Sequence, residues 1–340
     1  MDPVEALNEI AYWLERERAT KYKSKAFRAA SAIVGEYSPD ELRAMLASGR
    51  LKTTKGIGDT TFTVISQALG GAVPAYLQNL RGTVEAESVV TGGSAIRAAT
   101  RGDLHSHSDW SDGTTSFLLM ARTARELGHQ YLALTDHSPR LRIANGLTAA
   151  RLTQQIGEVQ EFNGGAEPGF TLLTGIEVDI LDDGSLDQTA ELLAQLDVVV
   201  ASAHSKLRTE PRAMTRRLIG AVTQGHTDVL GHVTGRLIEG SRGTRPQSTF
   251  DARAVFEACA QHRVAVEINS RPERVDPPDE MIQLALELGC LFSIDSDAHA
   301  PGHLGFIDLG CARAEANGIP IDRIVTTWPL DRLLEWTRRR

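Results

Sequence analysis

Cysteine is scarce and scattered. Cys259, Cys290 and Cys311 are the three in 340 residues, odd in number and without a CxxC pair. That pattern suggests neither a disulfide framework nor a thiolate zinc site, and leaves buried reduced thiols as the expectation. Long apolar runs are also missing: none approaches the ~20 residues that cross a bilayer. The start, Met1-Asp2-Pro3-Val4-Glu5, lacks the basic-then-apolar pattern of a secretion signal. The expectation is therefore a cytoplasmic protein with no membrane partner. With 41% apolar and 24% charged residues, the chain is globular rather than disordered, collagenous or a repeat array, and it is long enough for two domains. Nothing in the composition speaks to oligomeric state.

Lysine is sparse as well, and its placement is uneven. Lys21, Lys23, Lys25, Lys52 and Lys55 lie in the first 55 residues, and Lys206 is the sixth. The net charge of −8 argues against a protein that coats nucleic acid. However, residues 1–81 carry 11 Lys+Arg against 9 Asp+Glu, whereas 82–340 carry 25 against 35. Two parts with different electrostatic roles follow.

Residues 1–81 read as short helices. Asp2-Pro3-Val4-Glu5 supplies an N-cap, a proline at the first helical position and an acid two residues later, before Leu7, Ile10, Ala11 and Leu14 recur at helical spacing. Ser38-Pro39-Asp40-Glu41 repeats the start signal ahead of Leu42, Met45 and Leu46, with Gly49 as the stop. Phe27, Ala30 and Val34 form a further apolar face. Lys55-Gly56-Ile57-Gly58 then precedes a helical stretch through Val64, Ile65 and Ala68. Residues 82–100, with Gly92-Gly93-Ser94, show no sustained period and are expected to be a linker.

From Arg101 onward, β-rich runs alternate with helical stretches, the pattern of βα units and a parallel sheet. The runs are Asp103–His107, Tyr131–Asp136, Thr171–Ile180, Asp197–Ala203, Asp228–Val233, Ala265–Asn269 and Leu291–Ser296. Each ends in polar residues, and six of the ten histidines fall at those ends. In a closed parallel barrel all strand C-termini open on one face, where a site is built. A lone HxH or Asp-Ala-His says little, but this joint pattern would bring the imidazoles and carboxylates together.

Imidazole and carboxylate without thiolate suit Zn²⁺, Mn²⁺ or Fe²⁺ at a hydrolytic site. His105 and His107, two apart on a strand, face the same way, and Glu177 can bridge two ions through its two oxygens. Such a cluster suits phosphate ester hydrolysis, whose transition state mainly needs charge neutralisation and in-line positioning. Lys206, two residues after His204, and Arg271 and Arg274, after the sixth run, are candidate substrate-binding cations, with ion pairing the rival reading. Arg140 is a weaker one. His129, His226, His262 and His303 read as structural or exposed, His303 being the one close to the rim.

The set His105-Ser106-His107, Ser111-Asp112-Gly113, Thr135-Asp136-His137, Gly175-Ile176-Glu177, His204, His232 and Asp297-Ala298-His299 resembles the polymerase and histidinol phosphatase (PHP) family, in its motif order from residue 101 to about 335. That resemblance implies a distorted (β/α)7 barrel over 101–340 with three divalent metal ions. His105, His107, Glu177 and Asp297 would hold the first; Glu177, His204 and His232 the second; Asp112, His137 and His299 the third. Glu177, Asp297 and His299 are thereby also the expected catalytic groups. The segments Glu267-Ile268-Asn269-Ser270-Arg271-Pro272-Glu273-Arg274-Val275-Asp276 and Ser293-Ile294-Asp295-Ser296-Asp297-Ala298-His299 are most similar to the PHP domain of bacterial family X DNA polymerases. Residues 3–81 resemble the small all-α domain that begins those polymerases, including a helix–hairpin–helix at Lys55, Gly56 and Gly58, where glycine lets backbone approach phosphate. DNA is thus the expected partner of the N-terminal domain. No polymerase palm fits between residues 81 and 101, and Val64 stands where lyase-active members carry their Schiff-base lysine. The resemblance implies a metal-dependent phosphoesterase on DNA, a 3′→5′ exonuclease or 3′-end processor acting in DNA repair. The alternatives are a small-molecule phosphomonoesterase of the histidinol-phosphate kind and a non-catalytic DNA-binding scaffold.

Overall fold

The computed structural model describes residues 1–87, 90–165, 168–240 and 243–338. The chain divides into two compact units, Met1–Val89 and Val90–Arg340. The first is built from α1 (Pro3–Arg16), α2 (Lys21–Val34), α3 (Pro39–Ala47), α4 (Arg50–Thr53), α5 (Asp59–Leu69) and α6 (Ala75–Glu87). Its start signals act as read. The Asp2 carboxylate accepts the Val4 and Glu5 N–H groups at 2.8 and 3.0 Å. Ser38 and Glu41 form a reciprocal capping box. Leu7, Ile10 and Leu14 of α1, Phe27, Ala30 and Val34 of α2, and Val64, Ile65 and Ala68 of α5 meet in one core, each large aliphatic contributing about 1.5–3 kcal/mol by leaving water. Val64 is 1% exposed, so the position read as replacing a lysine is a packing position.

The stretch expected to be a linker is helical through much of its described length. α6 runs to Glu87, and α7 (Ser94–Ala99) belongs to the second unit; residues 88 and 89 lie outside the described residues. Gly93, at φ +79°, sits so close to the next element that a Cβ would come within 2.4 Å of the Ala312 nitrogen, and its N–H donates to Glu315 at 2.7 Å. The glycine pair is a packed turn leading into α7, a helix of six residues that is too short to show a period.

The second unit then alternates β1 (Gly102–Ser106), α8 (Phe117–Glu126), β2 (Tyr131–Leu134), α9 (Ala149–Gly165), β3 (Thr171–Asp179), α10 (Ala190–Leu193), β4 (Val198–Ser202), α11 (Pro211–Thr223), β5 (Val229–Leu230), α12 (Ala252–His262), β6 (Ala265–Asn269), α13 (Asp279–Glu287), β7 (Leu291–Asp295), α14 (Ile307–Ala316) and α15 (Leu330–Thr337). The seven strands are parallel and follow chain order around a nearly closed barrel. Among the described residues, backbone pairing at the β1–β7 seam is the Ser106–Ala298 bridge, with a 2.8 Å bond from His107 N–H to the Ala298 carbonyl and a 3.4 Å bond from Ala298 N–H to the His105 carbonyl. Buried carboxylates complete the seam: Asp295 accepts Leu104 N–H at 2.9 Å, and Asp103 accepts Ser296 N–H at 3.2 Å. At the other end of the strands, Val325, Trp328, Leu333 and Trp336 pack in one cluster with Tyr131, Val198 and Val229. The Tyr131 hydroxyl, at the start of β2, donates to the Thr326 and Trp328 carbonyls. The C-terminal segment thus covers the end of the barrel where strands begin, and leaves the end where they finish for chemistry. The three cysteines are buried free thiols, and among the described residues no helix is long and apolar enough to cross a membrane.

Candidate metal centre

Strand periodicity delivers the side chains. His105 lies on β1 and His107 just beyond it; His137, Glu177, His204, His232 and Asp297 follow or end β2, β3, β4, β5 and β7. Glu177 is central and 1% exposed. Its Oε2 lies 3.4 Å from His105 Nε2, 3.6 Å from His107 Nε2 and 2.8 Å from His137 Nδ1, while its Oε1 lies 3.2 and 3.4 Å from the Nε2 atoms of His204 and His232. Asp297 Oδ1 approaches His107 Nε2 at 3.4 Å. Asp112 Oδ1 faces His137 and His299 at 3.5 and 3.3 Å. Two of these ligand positions carry unusual backbone: His232 has φ +20° and Asp297 φ +50°, conformations that a non-glycine residue holds only when its surroundings impose them.

These residues fit divalent ions. His105 Nε2, His107 Nε2 and both Glu177 oxygens are buried without a hydrogen-bond partner, a costly state for polar atoms unless a cation sits among them. His107, Asp112, His137 and His299; His105, His107 and Glu177; and His137, Glu177 and His204 each place one donor atom within 4.8 Å of the others. All nine side chains expected at the centre are thus gathered at one barrel mouth.

Charge is tightly interlocked there. Burial alone would raise Glu177 and Asp297, yet nearby His204 and His105 hold Glu177, and Arg274 and His107 hold Asp297, well below the usual carboxylate range. Burial would lower His204, but Glu177 and Asp179 raise it to about 9. Glu177 and Glu267 likewise raise His105 well above its ordinary value, against its burial. Burial together with His299 and His137 lowers His107 to about 3. Without metal, the pairing of His105 and His204 is fully present below the ordinary histidine value of 6.5 and is lost, for His204, as pH rises towards 9. Metal ligation instead requires neutral imidazole. The metal-stripped protein is therefore expected to lose thermal stability from pH 6.5 to about 9 while the manganese-loaded protein gains it. Calorimetry in chelator and in manganese checks this, and a stripped-protein midpoint that rises over that range would contradict it.

Several residues that position the centre escaped the sequence reading. Glu267, on β6, contacts His105 Nδ1 at 2.5 Å and His232 Nδ1 at 3.1 Å, and also accepts the His232 N–H. It fixes the ring face that each imidazole offers to the centre. Its place at a polar strand end was visible, but nothing in sequence separates a carboxylate that ligates from one that orients a ligand. Asp179 does the same for His204 at 3.2 Å, and Asn269 donates to both Glu267 and Asp297.

The three expected substrate cations divide. Arg274, with its side chain 9% exposed, donates through Nε to Asp297 at 3.0 Å. Arg271 donates to Glu273 and to the Asp297 carbonyl, and lies 3.0 Å from His299 Nδ1. Both guanidinium groups thus reach ligand-bearing residues, and Arg274 Nη1 is buried with no hydrogen-bond partner among the described residues, so their expected role as substrate cations stays a proposal. Lys206, 63% exposed, is ion-paired with Asp182. His303, near the rim, accepts the His299 N–H at 3.3 Å. In the first unit, Lys55 is exposed and Gly56 turns at φ +93° with Ile33 beneath it. The Gly58 N–H is satisfied by Thr61 Oγ1 at 2.9 Å, so that amide is not open to phosphate. The Lys21 side chain lies outside the described residues.

The chain is similar to several known proteins. Residues 103–271 match the PHP domain. A DNA polymerase/3′-5′ exonuclease PolX of Bacillus subtilis (strain 168) is 42% identical over 199 residues, 58% of this chain and 34% of that protein. The chain therefore spans about a third of that relative's length. A probable phosphatase of Vibrio vulnificus (strain YJ016) is 29% identical over 238 residues, 67% of this chain and 89% of that protein. Among solved structures, a histidinol phosphate phosphatase of Lactococcus lactis, complexed with zinc, L-histidinol and phosphate, superposes with a TM-score of 0.45 and 16% identity over 64% of this chain and 92% of that one.

Proposed function

For a chain that belongs to the PHP family of hydrolases, with its PHP domain at residues 103–271, we propose a phosphoesterase that holds three divalent ions and acts on DNA, as a 3′→5′ exonuclease or 3′-end processor in repair. The observation that carries the hydrolytic reading is the convergence of nine donor side chains with buried, unpartnered ligand atoms on Glu177, His105 and His107. His105, His107, Glu177 and Asp297 would hold one ion; Glu177, His204 and His232 a second; Asp112, His137 and His299 a third. Bound there, manganese, zinc or iron supplies charge neutralisation for a phosphate ester and a water of lowered pKa. The chain's own groups set the geometry. Glu177 presents separate oxygens to separate histidine groups, Arg274 and Asn269 fix Asp297, and Arg271 and His303 hold His299. Lys206 is the exposed cation closest in sequence to a ligand and is offered as a phosphate contact.

The DNA reading is supported by the identity to the polymerase/exonuclease and by the lysines of the N-terminal unit, with Lys55 and Gly56 as the proposed DNA contact. A second reading, hydrolysis of a small phosphomonoester, is favoured by the near full-length match to a probable phosphatase. Manganese-loaded protein offered a 5′-labelled recessed duplex and histidinol phosphate in parallel separates them, with His107→Ala as the control for contaminating nuclease. Shortening from the 3′ end, absent in that variant and steeply weakened by salt, is expected. Phosphate release from histidinol phosphate with the DNA left whole would overturn the DNA reading.

A further inference from the structure

The loop that follows β2 leaves and re-enters the barrel rim at one point, because the Leu147 N–H bonds the carbonyl of the ligand residue His137 at 2.7 Å. It is stiff. Gly146 lies so close to Ser138 that a Cβ would sit 1.8 Å from its carbonyl oxygen. Arg151 donates to the Asn145 carbonyl at 2.7 Å and to the Trp110 carbonyl, and Asn145 Nδ2 reaches that same Trp110 carbonyl at 3.3 Å. Trp110 stands two residues before Asp112, so the loop is tied to both ligand-bearing segments beneath it. Ala144 and Leu147 are buried as its shoulders, while Ile143 is 96% exposed.

A scattered apolar side chain on a surface is ordinary. Ile143 differs in standing at the tip of an immobilised loop, six residues from a candidate ligand, with exposed Arg140 and Arg142 beside it. The Arg142 guanidinium has no hydrogen bond or ion pair among the described residues. Arg140 is near Asp182 electrostatically, and its N–H is held by Asp187 at 2.6 Å, so acid screens one side of the tip. Aliphatic wedges flanked by arginine are suited to the end of a duplex: the wedge packs on an exposed base face and the cations meet the adjacent phosphates.

We propose that Ile143 is a strand-end separator, packing against the terminal base pair of a duplex and helping release the 3′ nucleotide towards the metal centre, with Arg142 on a flanking phosphate. This rests on the DNA reading above and adds a substrate class, paired ends, that the centre alone does not specify. The test uses the full manganese-loaded chain with Ile143→Ala and Ile143→Leu, on a blunt duplex, on one of its strands alone, and on p-nitrophenyl phosphate. Ile143→Ala is expected to slow duplex cleavage about tenfold, leave the single strand and p-nitrophenyl phosphate unchanged, and be largely rescued by Ile143→Leu. Equal loss on duplex and single strand, or no loss on either, would overturn the separator alone. Native protein that hydrolyses p-nitrophenyl phosphate but neither DNA would overturn the DNA reading and the separator with it.

Discussion

Glu177→Ala should lower phosphate ester hydrolysis by about 10³-fold or more, with a parallel loss of bound metal. Each of its two oxygens faces a different histidine set, Oε2 towards His105, His107 and His137 and Oε1 towards His204 and His232, so one substitution removes a donor from two of the three proposed ion foci. It also removes the negative charge that counters five nearby imidazoles in a buried space. Glu177→Gln keeps the shape without the charge, and should be almost as damaging if bridging is the role. Rates on p-nitrophenyl phosphate at saturating manganese, together with metal content of the purified variants, check both. Activity within tenfold of native in the alanine variant would remove Glu177 from the centre.

Asp136→Ala should destabilise the barrel by about 3 kcal/mol and selectively loosen the third focus. The carboxylate is fully buried and accepts from Ser108 N–H at 2.9 Å, Ser108 Oγ at 2.7 Å, Ser111 Oγ at 2.5 Å and Gln155 Nε2 at 2.8 Å. Those bonds fold the turn that ends in Asp112, and Asp136 directly precedes His137. Its removal leaves several buried donors without acceptors, each costing about 1–3 kcal/mol before relaxation. Chemical unfolding measures the stability, and the number of tightly held metal ions measures the focus. A variant with native stability and undiminished metal content would contradict the assignment of Asp136 as the residue that positions Asp112.

The site was legible from sequence because a parallel barrel turns chain order into convergence. His105, Glu177, His204 and His299 are far apart along the chain, yet each lies at or just beyond the C-terminal end of a strand, and those ends share one face. Asp2 and Ser38 were legible as caps because capping chemistry is local. What stayed hidden depends on direction across space. Glu267, on β6, orients His105 on the non-adjacent β1 and His232 after the adjacent β5, contacts made across 162 and 35 residues of chain. Arg271 and Arg274 were legible as cations near the site, but the contacts of their guanidinium groups with His299 and Asp297 were not. The Gly92-Gly93 turn read as a linker because helices of six residues, such as α7, are too short to display a period. The exposure of Ile143 likewise follows from how its loop is pinned, which no local pattern records.

The most direct test is a crystal of the manganese-loaded protein measured for anomalous scattering. Three peaks are expected at the barrel mouth: one among His105, His107, Glu177 and Asp297, one among Glu177, His204 and His232, and one among Asp112, His137 and His299, each about 2.0–2.3 Å from its ligand atoms. A map with no peak inside the ring of ligands around Glu177 would contradict a metal centre there, and with it the hydrolytic mechanism built on that centre.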